Sequence, residues 1–244
     1  MINLINKIRG VVISETPYGE TSKIINIITE NHGILGIMCK GAKGMKSKLR
    51  AVTTRFTYGN FHMYYKEDKL STLIAVDVID NLTNLKTDIT LLGYLTYITD
   101  LTRQVMKQNP SSEIFNLFIT TVLKVNENQN PQVMTNILEL KLLEFLGVGL
   151  NLDSCIKCGN KTNIITIDAD QGGYICKGCH TNQSIVNVKT VKMLRMYCYV
   201  EIDSITKIDI NETISREINN FLNKYYERYT GLYLYSKTFL ESVR

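Results

Sequence analysis

Two Cys-x2-Cys pairs are the residues of this sequence best suited to chemistry: Cys155-Ile-Lys-Cys158 and, after 17 intervening residues, Cys176-Lys-Gly-Cys179. The spacing falls within the window of four-thiolate zinc sites, in which each pair turns as a knuckle and presents two sulfurs to one tetrahedral ion at about 2.3 Å. One zinc ion per chain is therefore expected, with an iron–sulfur cluster or disulfides as the alternatives for the same thiols. Four thiolates close the coordination sphere and leave no position for an activated water. The predicted role is structural, holding together a small module with little core of its own. His180, next to Cys179, is the alternative ligand, while Cys39 and Cys198 lie far off in apolar segments and read as buried side chains.

The second feature is electrostatic. Residues 1–80 hold 11 basic and 7 acidic side chains, against 17 and 16 in the remainder. Most of the excess falls in Lys40-Gly-Ala-Lys-Gly-Met-Lys-Ser-Lys-Leu-Arg50, extended by Arg55, which holds six basic residues and no acid. Lys40, Lys43, Lys46, Lys48, Arg50 and Arg55 are thus the candidate phosphate contacts, with a merely solvated face as the alternative. The glycines before Lys46-Ser47 suggest a phosphate loop, but Lys40 and Met45 occupy the two positions where that motif needs glycine. No other nucleotide, metalloprotease or hydrolase motif is present. His32 and His62 have no evident partner, and Asp168 and Asp170 suit a hairpin turn better than a metal.

The elements that must position these residues change period near residue 81. Before it, Gly10–Ser14, Lys23–Thr29, Ile34–Lys40, Phe56–Tyr65 and Leu70–Val78 read as short strands, with Asn31-His32-Gly33 as a hairpin turn. Five strands so spaced suggest a small closed barrel, since closure removes exposed edges. The basic stretch then joins the third strand to the fourth. In that fourth strand Phe56, Tyr58, Phe61, Tyr64 and Tyr65 are either barrel core or stacking platforms.

From Asn81 onward the period is helical. Asp88 caps a helix ending near Asn109-Pro110, Ser111 or Ser112 caps a second, and Asn130-Pro131 starts a third that runs to Gly147. Lys189–Tyr199 and Glu212–Tyr229 form a final pair, followed by a short tail helix through Phe239. Between them the cysteines frame a hairpin, with Ile164–Ile167 and Tyr174–Cys176 as strands about a turn at Asp168–Gly173. The division expected is 1–80 and 81–244, with the ribbon inserted at about 151–186.

Composition excludes several classes. The chain of 244 residues is 44% hydrophobic and 21% charged with a formal net charge of +5, which rules out a disordered or collagen-like chain. Its longest charge-free run is 11 residues, short of the roughly 18 to 20 that a membrane-spanning helix needs. The N-terminus lacks the apolar core of a signal peptide, so a cytoplasmic chain with reduced thiols is expected.

Taken in order, these features resemble the RecO family of bacterial recombination mediators over nearly the whole length. The residues that carry the resemblance are Gly10-Val-Val-Ile, Tyr18-Gly-Glu-Thr21, Gly33-Ile-Leu-Gly36, Lys40-Gly-Ala-Lys43, the four cysteines, and the tail Gly231-Leu-Tyr-Leu-Tyr-Ser-Lys-Thr-Phe-Leu240. Arg55 stands where the family often has proline, a departure that adds positive charge; the four cysteines are absent from some members. The resemblance implies an α+β protein: an N-terminal five-stranded OB-fold barrel followed by an all-helical domain carrying a four-Cys zinc ribbon. It further implies a non-enzymatic DNA repair protein, cytoplasmic and nucleoid-associated, that binds single- and double-stranded DNA and anneals complementary strands. A RecR-like mediator and the C-terminal tail of the single-strand-binding protein are the implied partners, with the RecA recombinase reached indirectly through loading. The rival readings are a zinc-ribbon nucleic-acid-modifying enzyme and a protein-interaction scaffold.

Overall fold

The structure is a computed structural model and describes residues 5–244. The first four residues, part of the segment read above for a signal peptide, lie outside the described residues. The chain divides into two compact units: the described residues through Leu92 together with Thr99–Asn116, and Gly93–Ile98 together with Leu117–Arg244.

The first unit is a five-stranded barrel. Its strands are β1 (Ile5–Tyr18), β2 (Ser22–Thr29), β3 (Ile34–Cys39), β4 (Tyr58–Tyr64) and β5 (Ser71–Asp80), closed in the order β1-β2-β3-β5-β4. All pairings are antiparallel except β3 with β5, which meet in parallel at Ile37↔Ser71 and Met38↔Thr72. A closed five-stranded barrel of this order is the OB architecture. The core is aliphatic: Ile8, Val12, Ile25, Ile27, Ile37, Phe61, Met63 and Leu73 are buried inside it. β-Branched residues fill the pleated inward face, as strand propensity requires.

Two expectations change here. β1 runs from Ile5 to Tyr18 rather than Gly10 to Ser14, because it must pair with β4 through residues 5–11 and with β2 through residues 10–18. A register shift between Val12 and Ser14 re-aims the strand between those two partners. Phe56, expected in the fourth strand, precedes it: its backbone is left-handed (φ 67°), and its N–H donates to the Val12 carbonyl at 2.7 Å. Phe56, Tyr58 and Phe61 are buried, which assigns them to the core; Tyr64 and Tyr65 are half-buried.

The helices follow their capping signals. A short α1 (Leu49–Val52) lies within the basic stretch, and α2 (Thr83–Thr87) is a further short helix that the periodicity did not predict. α3 (Ile89–Gln108) starts where the Asp88 carboxylate accepts from the Leu91 N–H at 2.8 Å. α4 (Ser112–Asn126) follows, and α5 (Pro131–Phe145) combines proline in its first turn with Asn130 accepting from the Val133 N–H at 3.1 Å. In the second unit α5 is central, with Val133–Leu140 buried continuously. It packs against α6 (Val188–Tyr199) and α7 (Glu212–Tyr229). The tail helix α8 (Tyr235–Val243) extends past Phe239, because Leu240 and Val243 approach Gly93. Among the described residues no helix is long and apolar enough to cross a membrane.

The ribbon is a three-stranded sheet rather than a bare hairpin. β7 (Ile164–Asp168) and β8 (Gly173–Cys176) pair antiparallel as expected, and β6 (Asn151–Cys155) adds to β8 in parallel. Gly173 makes room for β6, since a Cβ there would stand 2.6 Å from the Asn151 carbonyl oxygen.

Candidate metal centre and nucleic-acid interface

The ribbon strands bring the four cysteines together. β6 ends on Cys155 and β8 on Cys176, and the turns that follow supply Cys158 and Cys179. Backbone hydrogen bonds close the knuckles: Gly159 N–H to the Cys155 carbonyl at 2.8 Å, Cys155 N–H to the Asn160 carbonyl at 2.8 Å, and Cys179 N–H to the Cys176 carbonyl at 3.1 Å. Gly159 adopts φ 72°, a conformation that a side chain would strain. The four sulfurs all lie within 4.8 Å of one another, with Cys158 and Cys176 3.6 Å apart. A tetrahedral ion about 2.3 Å from each sulfur would set them about 3.8 Å apart, so the cluster fits one such ion. No pair is bonded as a disulfide.

The electrostatics of the cluster are compatible with a cation. Burial pushes the Cys155 thiol up, but backbone hydrogen bonds from Cys176, Lys157 and Cys158 outweigh it and bring the pKa down to about 6. Cys179 is pushed up to about 12, chiefly by hydrogen bonding with Cys158 and then by burial. Sulfurs this close cannot all carry negative charge until a cation shares it. His180 is not one of the clustered ligands; its Nε2 lies 2.8 Å from the Gln183 carbonyl oxygen.

Other residues singled out by type serve structure. Asp168 is buried and takes up the turn: it accepts from the Asp170 N–H at 2.8 Å and from the amides of Gln171 and Gln183 at 2.9 and 3.0 Å. Asp170 pairs with Arg228 at 2.6 Å. His62 does have a partner, contrary to expectation: its Nε2 lies 2.8 Å from Asp77 Oδ2 across the β4–β5 ladder. Cys39 is buried as expected, and burial pushes its thiol up to about 12, but Cys198 is only half-buried. Supports that the sequence does not announce by type include Asn160, whose carbonyl closes the first knuckle, and Asp153, which pairs with Arg195 at 3.1 Å; a Gly-Asn step directly after a Cys-x2-Cys pair is the signal for the first.

In the barrel unit the basic stretch joins β3 to β4 and is pinned by its apolar members. Ala42 is buried in the barrel core and Leu49 packs against it. The Lys43 N–H donates to the Thr21 carbonyl at 2.8 Å, and its ammonium to the Gly19 carbonyl at 3.1 Å, which fastens the loop to the β1–β2 turn. With the backbone held, Lys40, Lys43, Lys46, Lys48, Arg50 and Arg55 are all exposed. Lys43 and Arg50 line one open pocket of about 350 Å³ with Glu15 and Lys23, whose own charges pair at 2.6 Å. Arg55 lies over the Phe56 ring at 4.4 Å, a cation–π contact that fixes its direction.

Known proteins resemble this chain along its length. The family description "Recombination protein O N terminal" matches residues 1–82, and "Recombination protein O C terminal" matches residues 86–238. The DNA repair protein RecO of Bacillus subtilis (strain 168) is 30% identical over 244 residues, which cover 98% of this chain and 95% of the relative. That of Listeria monocytogenes serotype 4b (strain F2365) is 32% identical over 241 residues, covering 97% of this chain and 94% of the relative. With the barrel, the helical unit and the four clustered cysteines all in place, the chain belongs to the RecO family of DNA repair proteins.

Proposed function

We propose that this chain is a non-enzymatic recombination mediator that binds single- and double-stranded DNA, anneals complementary strands, and helps load the RecA recombinase. The observation that carries the reading is the β3–β4 connection: six exposed cations, no acid, and a backbone anchored to a closed barrel by Ala42, Leu49 and the Lys43 hydrogen bonds. Such a loop meets phosphates rather than base edges. Neutralising phosphates lowers the repulsion between two strands and leaves their bases free to pair, which is the physical requirement for annealing. Cys155, Cys158, Cys176 and Cys179 would hold one zinc ion, which would supply a fixed tetrahedral crosslink and no catalytic position. Partners in this reading are a RecR-like mediator and the C-terminal tail of the single-strand-binding protein, and the site of action is the cytoplasmic nucleoid.

The test is DNA affinity against salt. Six cations of which about four reach phosphate at once give a log–log slope near −3 for single strands, at about −0.7 per phosphate neutralised. Reversing Lys43, Lys46 and Lys48 to Glu should flatten the slope and weaken binding alike for all DNA sequences. Parent affinity and slope in that variant would make the loop a solvated face and overturn the reading.

A further inference from the structure

Outside the barrel the chain carries a second long stretch of sequence with few acids. The 30 residues from Gln171 to Val200 contain no Asp or Glu, nor do residues 154–167, a bias matched only by the stretch around the basic loop. Lys157, Lys161 and Lys177 are exposed on the knuckles, and Lys189 and Lys192 are exposed on α6. Among the described residues none of the five forms an ion pair; Lys157 alone has a side-chain hydrogen bond, to the Cys179 carbonyl at 3.4 Å.

Four acids close to this surface are already engaged, while Glu201, two residues after Tyr199, is exposed. Asp153 on β6 pairs with Arg195 of α6 at 3.1 Å and accepts from the Tyr199 hydroxyl at 2.8 Å. Asp168 is taken up by Gln171 and Gln183, and Asp170 by Arg228. Glu217 of α7 accepts from the Asn187 N–H at 3.0 Å and from the Thr190 hydroxyl, at the start of α6. A zinc ion with four thiolates would carry two negative charges, which the five lysines outweigh. The Asp153 bonds fasten β6 to α6, so the lysines ride on a rigid frame. They also hold Tyr199, a residue 60% exposed, with the Arg195 guanidinium 5.9 Å from its ring centroid.

Unpaired cations beside a braced, exposed aromatic ring suit a single nucleic-acid strand, with lysines on phosphates and the ring under an unpaired base. We propose that the ribbon knuckles and the outward face of α6 form a second binding surface for single-stranded DNA, so that each unit of the chain contacts nucleic acid for itself. The inference rests on the DNA-binding reading above and extends it: a chain with two such surfaces can hold two strands.

The experiment uses the full zinc-loaded chain and a labelled oligo-dT strand, titrated at several salt concentrations. K161E/K177E/K192E should lower affinity and flatten the salt slope by about 2, since each phosphate no longer neutralised removes about 0.7, with metal content and melting temperature unchanged. If that variant failed to retain its metal, K161Q/K177Q/K192Q would be read instead, with the same flattening expected. Tyr199→Ala should weaken single-strand binding by about tenfold and leave duplex binding alone, and Tyr199→Phe should keep most of the affinity, since stacking needs the ring while the hydroxyl only braces it. Parent slope and affinity in both lysine variants would overturn the proposal. So would unchanged DNA binding with loss of binding to an oligoglutamate peptide, which would give the face to an acidic protein. The two readings separate cleanly. Loss of affinity in the barrel-loop variant alone defeats this inference and keeps the first reading; loss in the ribbon variant alone does the reverse.

Discussion

The sulfurs of Cys158 and Cys176 stand 3.6 Å apart although the residues are 18 positions apart, and the first is exposed while the second is buried at the end of β8. An ion bridging them would tie a solvent-side turn to the ribbon's inner strand. The prediction is one zinc per chain by elemental analysis. Replacing Cys176 by Ser should remove it and lower the unfolding midpoint by several degrees, about 2–4 °C for each kcal/mol of destabilisation. Cys39→Ser and Cys198→Ser should leave metal content unchanged. Iron, or no metal in protein purified without chelator, would refute the assignment.

Annealing should need neither nucleotide nor added metal ion, because the β3–β4 loop lacks the glycine positions of a phosphate loop and four thiolates would leave the zinc no open coordination site. Fluorescence quenching of two complementary labelled strands measures this directly. The rate should be the same with and without ATP, and dependence on hydrolysis by this chain alone would contradict the mediator reading.

Much of this was legible in the sequence because the signals were local. Asp88 and Asn130 cap helices where their side chains and the following apolar period say they should, and the Cys spacing brings four sulfurs together as expected. What could not be read was set by distant chain. The extra length of β1 comes from having two partners, and β6 exists only because β8 offers it an edge. The left-handed turn at Phe56 is favoured by hydrogen bonds to Val12, 44 positions away, and not by its own propensity. His62 found Asp77 across a ladder for the same reason. The acid-free run of Gln171–Val200 was countable from the start, but counting bases instead of missing acids hides it.

Gly10 and Gly59 face each other in the β1–β4 register. A Cβ on Gly59 would lie 2.7 Å from the Asp77 carbonyl oxygen, and one on Gly10 would lie 2.7 Å from that of Ile28. Backbone oxygens in a ladder cannot swing aside as side chains do. Gly59→Ala should therefore cost about 1–3 kcal/mol, read as a lower denaturant midpoint for the barrel with zinc content unaltered. A midpoint equal to the parent's would mean that the strands part without cost.

The carboxylate of Glu139 on α5 is buried, 3.7 Å from the Lys237 ammonium on α8, and accepts from the Tyr97 hydroxyl at 2.5 Å. Burial pushes its pKa up, and the Lys237 charge and the Tyr97 hydrogen bond offset this only in part. In the unfolded chain the same group ionises near about 4.3. A folded-state value above that favours the native state while the proton is bound, so this contribution is complete below about pH 4.3 and is lost as pH rises through the folded value. Other carboxylates titrate in the opposite sense, so the effect must be read as a difference. Glu139→Gln keeps the size and still accepts from Tyr97 but does not titrate. Its stability relative to the parent should rise from about pH 4 upward, by at most about 1.4 kcal/mol per pH unit, and level off above the folded pKa. Lys237→Met, which keeps a side chain over the Tyr97 ring and removes the cation, should move that plateau to higher pH. Denaturant midpoints of the three proteins between about pH 4 and 8 measure both shifts. A difference that stays constant with pH would mean that Glu139 ionises alike in the folded and unfolded chains.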